Sequence, residues 1–254
     1  RQALAWVGHV QTRNRGTVGG SLAHADPSAE LPLAAQVLRA KMVVRSAKGP
    51  RTLEAEKFFA GPMATSMRPD ECLEEIQWPA WNGHRTGSAF TEIAIRHGDF
   101  AMVAAAAQVA LGADGRCTRA ALGLGGVGGT PLAFPKVAAR LIGTKLDDEA
   151  IEGAASDAAN ETDPGSDLHA TKEYRRHLAR VLAARALREA REKGQVARSR
   201  DLALAAASVA ATVALAKLGG RLMNGLAEHL ASDLAHFGDG PLKELSAGDI
   251  NARV

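Results

Sequence analysis

Short apolar runs bounded by turn residues dominate the first third of the chain. AKMVVRS (40–46) and CLEEIQWPAW (72–81) predict strands, the second stopped by Pro79. LPLAAQVLRA (31–40) predicts a short helix or a helix leading into a strand, and residues 1–14 a helix running into a turn. KGP (48–50) is a turn, and RTLEAEKFF (51–59) enters a loop. A small α/β unit results. A second unit begins near Ser88. AFTEIAIR (89–96), AMVAAAAQVALGADG (101–115) and CTRAALGLGGVGG (117–129) predict three strands, with HGDF (97–100) as a turn. FPKVAARLIG (134–143) and LDDEAIEGAASDAAN (146–160) predict helices, and DPGSDLHAT (163–171) a loop. KEYRRHLARVLAARALREA (172–190) predicts a long amphipathic helix. Three strands followed by helices make an α+β layer arrangement.

After Ala190 the pattern changes. REKGQVARSRD (191–201) is basic and polar. LALAAASVAATVALA (202–216) carries only Ser and Thr as polar members, but it falls short of the ~20 residues of a membrane span. Its composition predicts a buried Ala-rich helix. Gly219–Gly220 break the pattern, and the remainder is weakly helical with a turn at GDGP (238–241).

Composition narrows the class only a little. The chain has 254 residues, enough for one large domain or two ordinary ones, with apolar and charged fractions ordinary for a globular protein. The net charge of +3 is too small to imply nucleic acid. Ten Lys or Arg against three Glu lie between Thr171 and Arg200; this is a solvated helix face or, alternatively, a patch for a membrane surface or nucleic acid. Cys72 and Cys117 have no partner spacing, so no disulfide framework, zinc site or iron–sulfur site is expected. RQALAWVGHV has no secretory pattern and no initiator Met, and reads as starting inside a gene.

Two glycine-rich stretches carry candidate chemistry. GLGGVG (123–128) matches G-x-G-x-x-G, but Gly129, Thr130 and Pro131 come next where a dinucleotide fold needs a helix, so a strand end or bulge is expected. TVGGS (17–21) is either a plain turn or an anion nest, in which successive amides flanked by hydroxyls cradle a pyrophosphate. Arg13 and Arg15 lie nearby, and HADPSAE (24–30) adds polar groups able to reach a ribose or a ring edge. His97–Gly98–Asp99 is an Asx-type turn or an acid–base pair. No hydrolase triad and no metal cluster stands out.

These stretches together resemble the FAD-binding subunit of the molybdenum hydroxylases, the xanthine dehydrogenase and aerobic carbon monoxide dehydrogenase group. The resemblance runs from residue 1 to about 187. It rests on RNRGTVGGSLAHADPSAELP (13–32), RTLEAEKFFAGPMATSMRPDECLEEIQWP (51–79), IRHGDFAMVAAAAQV (95–109), LGLGGVGGTP (122–131) and SDLHATKEYRRHLARVLAARAL (166–187). It implies the C-terminal part of a PCMH-type FAD-binding domain over 1–87. A small three-stranded sheet with helices would come next over 88–187, and an all-helical tail over 188–254. Thr17, Val18, Gly19, Gly20 and Ser21 would hold the FAD pyrophosphate; His24, Asp26 and Glu30 would surround the flavin and ribitol; Leu73 would lie against the isoalloxazine ring. FAD would be the chain's own cofactor. Molybdopterin would belong to a large partner subunit and the 2Fe-2S clusters to a small one, in the cytoplasm. The chain would pass electrons from those clusters through FAD to an external acceptor, with no catalytic or metal-binding residue of its own.

Two departures and a foreign tail qualify the resemblance. The family's first flavin motif, a Gly-rich AGG-type loop, has no counterpart, so weak or no FAD retention is expected. Glu92 stands where some members have a Lys, and no cofactor contact is carried over to it. REAREKGQVARSRDLALAAASV (188–209) resembles the N-terminal segment of the flagellar and type III export-gate switch protein, most specifically in EKGQVARSRDL (192–202). That resemblance turns 202–218 into a marginal membrane helix, the only place where membrane contact is expected. The family's NPTH self-cleavage motif is absent. The sequence therefore reads as two joined pieces, meeting between about Arg185 and Glu192.

Overall fold

The computed structural model describes residues 2–81, 83, 85–195 and 200–238. The chain divides into two units, Arg1–Ala197 and Arg198–Val254.

The first unit opens with a 3-10 turn at Ala3–Ala5 and helices α1 (Val10–Arg15), α2 (Val18–His24) and α3 (Glu30–Leu38). Strands β1 (Lys41–Ser46) and β2 (Gly49–Glu54) come next, then the one-turn helix α4 (Ala55–Phe58), a small hairpin of β3 (Phe59–Gly61) and β4 (Ala64–Thr65), and β5 (Cys72–Gln77). β1 is central in the antiparallel sheet β2-β1-β5, because Met42, Val43 and Val44 are buried. The stretch expected to enter a loop after residue 50 is instead β2 and α4. β2 is an edge strand in which only alternate positions are half-buried, which leaves too weak an apolar pattern to read. Arg51 on β2 grips Glu71 with two hydrogen bonds of 2.5 and 2.7 Å and also donates to the Ser66 carbonyl, tying the edge down.

The rest of this unit holds the antiparallel sheet β6 (Thr86–Ile93), β7 (Val103–Leu111), β8 (Cys117–Gly125) and β9 (Leu132–Ala133), in that order. Helices α5 (Pro135–Arg140), α6 (Asp148–Asn160) and α7 (Lys172–Gln195) complete it. The two-residue β9 adds a fourth strand to the three expected. Asp147 caps α6 by accepting from the Ala150 amide at 3.0 Å. β7 is buried on both faces. Val103, Ala105, Ala107 and Val109 pack with Ile151, Ala155, Leu182 and Ala186, while Ala104 and Ala106 pack on the other side with Leu33 and Val37 of α3. Small residues let α3 approach closely. A Cβ on Gly123 of β8 would lie 2.3 Å from Val37 Cγ2 and 2.7 Å from the Leu132 carbonyl oxygen. The glycines of GLGGVG are thus packing positions at a strand end, as their sequence context predicted.

α7 runs unbroken across 187–188, and Ala190 and Gly194 beyond that point are buried. A Cβ on Gly87 of β6 would sit 1.9 Å from the Ala190 carbonyl oxygen, so strand and helix backbones nearly touch there.

The second unit contains α8 (Arg200–Gly238), which continues through Gly219–Gly220 without the expected break. Val209 and Val213 are exposed, unlike the buried helix that composition predicted. Among the described residues no helix is long and apolar enough to cross a membrane. The GDGP turn and the residues after it lie outside the described residues, apart from Gly238 itself.

Candidate cofactor site

α2 starts where Thr17, in extended backbone, caps it: Oγ1 accepts from the Gly20 amide at 2.9 Å. A Cβ on Gly20 would meet that oxygen at 2.9 Å, so the cap and the glycine require each other. The Ser21 amide bonds the Thr17 carbonyl at 3.1 Å. The amides of Val18 and Gly19 have no partner among the described residues, as expected for the first turn of a helix. Val18 is exposed, and the nearest atom to a Cβ on Gly19 would be Leu73 Cδ2 at 3.9 Å. Free amides at the positive end of a helix, unshielded by a side chain, suit an anion. The structure thus brings Thr17, Val18, Gly19, Gly20 and Ser21 to one helix end and lays Leu73 beside it. Arg13 is engaged locally, donating to the Val7 and Gly8 carbonyls, which leaves Arg15 exposed as the nearby cation.

The turn after α2 faces two ways. His24 ends α2 in solvent, and Ala25 reverses the chain in a left-handed conformation. Asp26 is buried and accepts from the Ser28 amide at 2.8 Å. The Pro27 carbonyl accepts from the Gly126 amide at 2.9 Å, docking the turn onto the end of β8. Glu30, buried in the first turn of α3, has its carboxyl pushed up chiefly by desolvation and further by the nearby Asp26 charge. HADPSAE therefore keeps His24 outside and turns Asp26 and Glu30 inward.

Pro27 and Ser28 also border a cleft of about 540 Å³, within the usual range for small-molecule sites. Exposed Ile95 and Phe100 line it together with Met102. On its rim, Arg175 bonds Asp167 at 2.6 Å, and this hydrogen bond holds the Asp167 carboxyl at about 2. HGDF is a turn: the Asp99 amide bonds the Arg96 carbonyl, and the His97 ring packs on Trp6 at 5.6 Å. Among the described residues no group of three or more His, Cys, Asp or Glu could hold a metal ion.

Glu92, to which the sequence reading carried over no cofactor contact, lies on β6. It is 7% exposed, neither carboxylate oxygen has a partner among the described residues, and burial, reinforced by Glu30, raises it to about 7. The signal was there: a charge inside the apolar strand AFTEIAI.

Residues 1–81 match the FAD binding domain in molybdopterin dehydrogenase, and residues 88–190 match the CO dehydrogenase flavoprotein C-terminal domain. The carbon monoxide dehydrogenase medium chain of Afipia carboxidovorans is 33% identical over 196 residues, covering 77% of this chain and 67% of that protein. The chain belongs to the FAD-binding medium-subunit family of the molybdenum hydroxylases. The 6-hydroxypseudooxynicotine dehydrogenase complex subunit alpha of Paenarthrobacter nicotinovorans is another relative, 36% identical over 74% of this chain. The chain spans 64% of that relative's length. Quinoline 2-oxidoreductase from Pseudomonas putida 86 shares the fold at a TM-score of 0.72 and 34% identity, over 76% of this chain and 67% of that one. The family's fold accounts for residues 1–190. Residues 183–251 match the FlhB HrpN YscU SpaS family instead. The two matches overlap at 183–190, inside α7.

Proposed function

We propose that the chain is an FAD-binding electron-transfer subunit of a molybdenum hydroxylase, passing electrons from 2Fe-2S clusters through FAD to an external acceptor. Its partners would be a molybdopterin-binding large subunit and a 2Fe-2S small subunit, in the cytoplasm. The observation that carries this reading is the start of α2, where Thr17 takes up the Gly20 amide and leaves those of Val18 and Gly19 free. These residues fit a pyrophosphate, since any side chain at Gly19 would enter the space in front of the free amides beside Leu73. Bound FAD would supply the redox chemistry, which no side chain here provides. The chain's own residues would do the rest. The Val18 and Gly19 amides would donate to phosphate oxygens, and Ser21 would add a hydroxyl. His24, exposed at the end of α2, would border the ribitol and flavin, and Leu73 would provide an apolar wall against the ring and exclude water there.

Titration of the purified full chain with FAD tests this reading. Weak, saturable binding is expected. Gly19→Asp should abolish it with the melting temperature unchanged, because the new carboxylate repels a pyrophosphate yet suits a helix N-terminus. Equal FAD affinity in the two proteins would remove the assignment.

A second reading rests on the match at 183–251: the C-terminal segment would serve as a membrane-associated component of flagellar or type III protein export. Carbonate-resistant pelleting with membranes is the expected behaviour under that reading, and release by carbonate contradicts it.

A further inference from the structure

A second cleft, of about 550 Å³, opens between the C-terminal end of α3, the segment after β5, and β8 with α5. Neither Leu73 nor any residue from Thr17 to Ser21 lines it. It falls where the residues matching the FAD binding domain meet those matching the flavoprotein C-terminal domain, and domain seams are favoured places for small ligands. Buried Val37, Leu122, Phe134 and Ala138 give it an apolar wall. Two polar atoms of the lining residues are buried and unsatisfied. Among the described residues the Trp81 indole Nε1 donates to nothing, and the Gln36 Oε1 accepts nothing. A donor and an acceptor left unpaired in one lining are costly.

The cations of the lining are uncommitted as well. The Arg119 guanidinium stands 3.9 Å from the centre of the Trp81 ring, and among the described residues its side chain has no other partner. Stacking on the ring positions the guanidinium and leaves its N–H donors free. Arg39, exposed where α3 ends in a left-handed turn, has no side-chain partner among the described residues either. Of the two acids in the lining, Glu54 pairs with Lys41 at 3.4 Å, and Glu56 is exposed. Two free cations thus share the cleft with one free acid. We propose that this cleft binds a small apolar carboxylate that also carries an N–H. Arg119 and Arg39 attract the carboxylate, and a guanidinium can grip it with paired hydrogen bonds. The Trp81 indole donates to a ligand oxygen, the Gln36 carbonyl accepts the ligand N–H, and the apolar body lies on Val37, Leu122 and Phe134. This site is separate from the α2 cofactor site and stands without it.

N-acetyl-L-leucine is a suitable probe, with a carboxylate, an amide N–H and an apolar side chain. The chain has three tryptophans, Trp6, Trp78 and Trp81, so its indole N–H signals are few, and Trp81→Phe identifies the relevant one. Titrating the full-length 15N-labelled chain with millimolar probe is expected to move the Trp81 indole signal saturably and leave that of Trp6 in place. Two analogues divide the contacts: 4-methylpentanoate lacks the N–H, and N-acetyl-L-leucinamide lacks the carboxylate. Each should bind about tenfold more weakly than the probe. Arg119→Gln, an exposed change, should weaken the probe by about tenfold, and Gln36→Leu should remove the advantage of the probe over 4-methylpentanoate. A Trp81 signal that does not move would overturn the proposal, and so would equal affinity for the three compounds.

Discussion

Gly19 stands in the first turn of α2, where a Cβ would meet only Leu73 Cδ2 at 3.9 Å, whereas Gly123 lies at the end of β8 pressed under α3. Both stretches read as glycine-rich motifs. At α2 the glycines leave amides free at a helix end, where an anion would bind. At β8 the glycine removes a Cβ that would lie 2.3 Å from Val37. The residues just beyond each run make the difference. TVGGS continues into a helix capped by Thr17, while GLGGVGG continues into Thr130 and Pro131, which start no helix.

That contrast can be broken experimentally. The largest effect is expected at a third close approach: Gly87→Ala drives a methyl into the Ala190 carbonyl and should cost about 3 kcal/mol by urea unfolding. Gly123→Ala should cost about 2 kcal/mol by the same measure, because α3 must shift off the sheet. Thr17→Ala removes one cap and should cost about 1 kcal/mol. Gly19→Asp should change stability by less than about 0.5 kcal/mol, an exposed change at a helix start. If Gly19→Asp proved as damaging as Gly123→Ala, the two stretches would not differ in the way described. The acid limb of stability sharpens the picture further. Arg51 holds Glu71 at about 2, and Arg175 holds Asp167 at about 2, both chiefly through hydrogen bonds. The stability from these lowered carboxyls is present above their ordinary range and is lost as pH falls through about 2. Arg51→Ala should make that acid limb shallower in pH-dependent unfolding.

Much of the architecture was legible in the sequence. β1, β5, β7 and β8 lie where short apolar runs stop at Gly or Pro, and α6 lies within LDDEAIEGAASDAAN, where a helix was expected. β2 was not legible, because on this edge strand only Gly49, Arg51 and Leu53 are half-buried, which leaves Leu53 as its single large apolar residue. The break expected at Gly219–Gly220 did not occur, since glycine weakens a helix without forbidding it. Within the site, the grouping of Thr17 to Ser21 was legible from its glycines and hydroxyls. The inward turn of Asp26 and Glu30 was not, because it depends on Gly126 docking the Pro27 carbonyl from a strand about a hundred residues away. Glu92 was visible as a letter, but the burial of its carboxylate without a partner among the described residues was not.

The cofactor assignment turns on the free amides of α2. Backbone amide shifts of the 15N-labelled chain during FAD titration test it most directly. Val18 and Gly19 are expected to move first and furthest while Gly123 stays in place. Shifts centred on Gly123 to Gly128 with Val18 and Gly19 unmoved would contradict it.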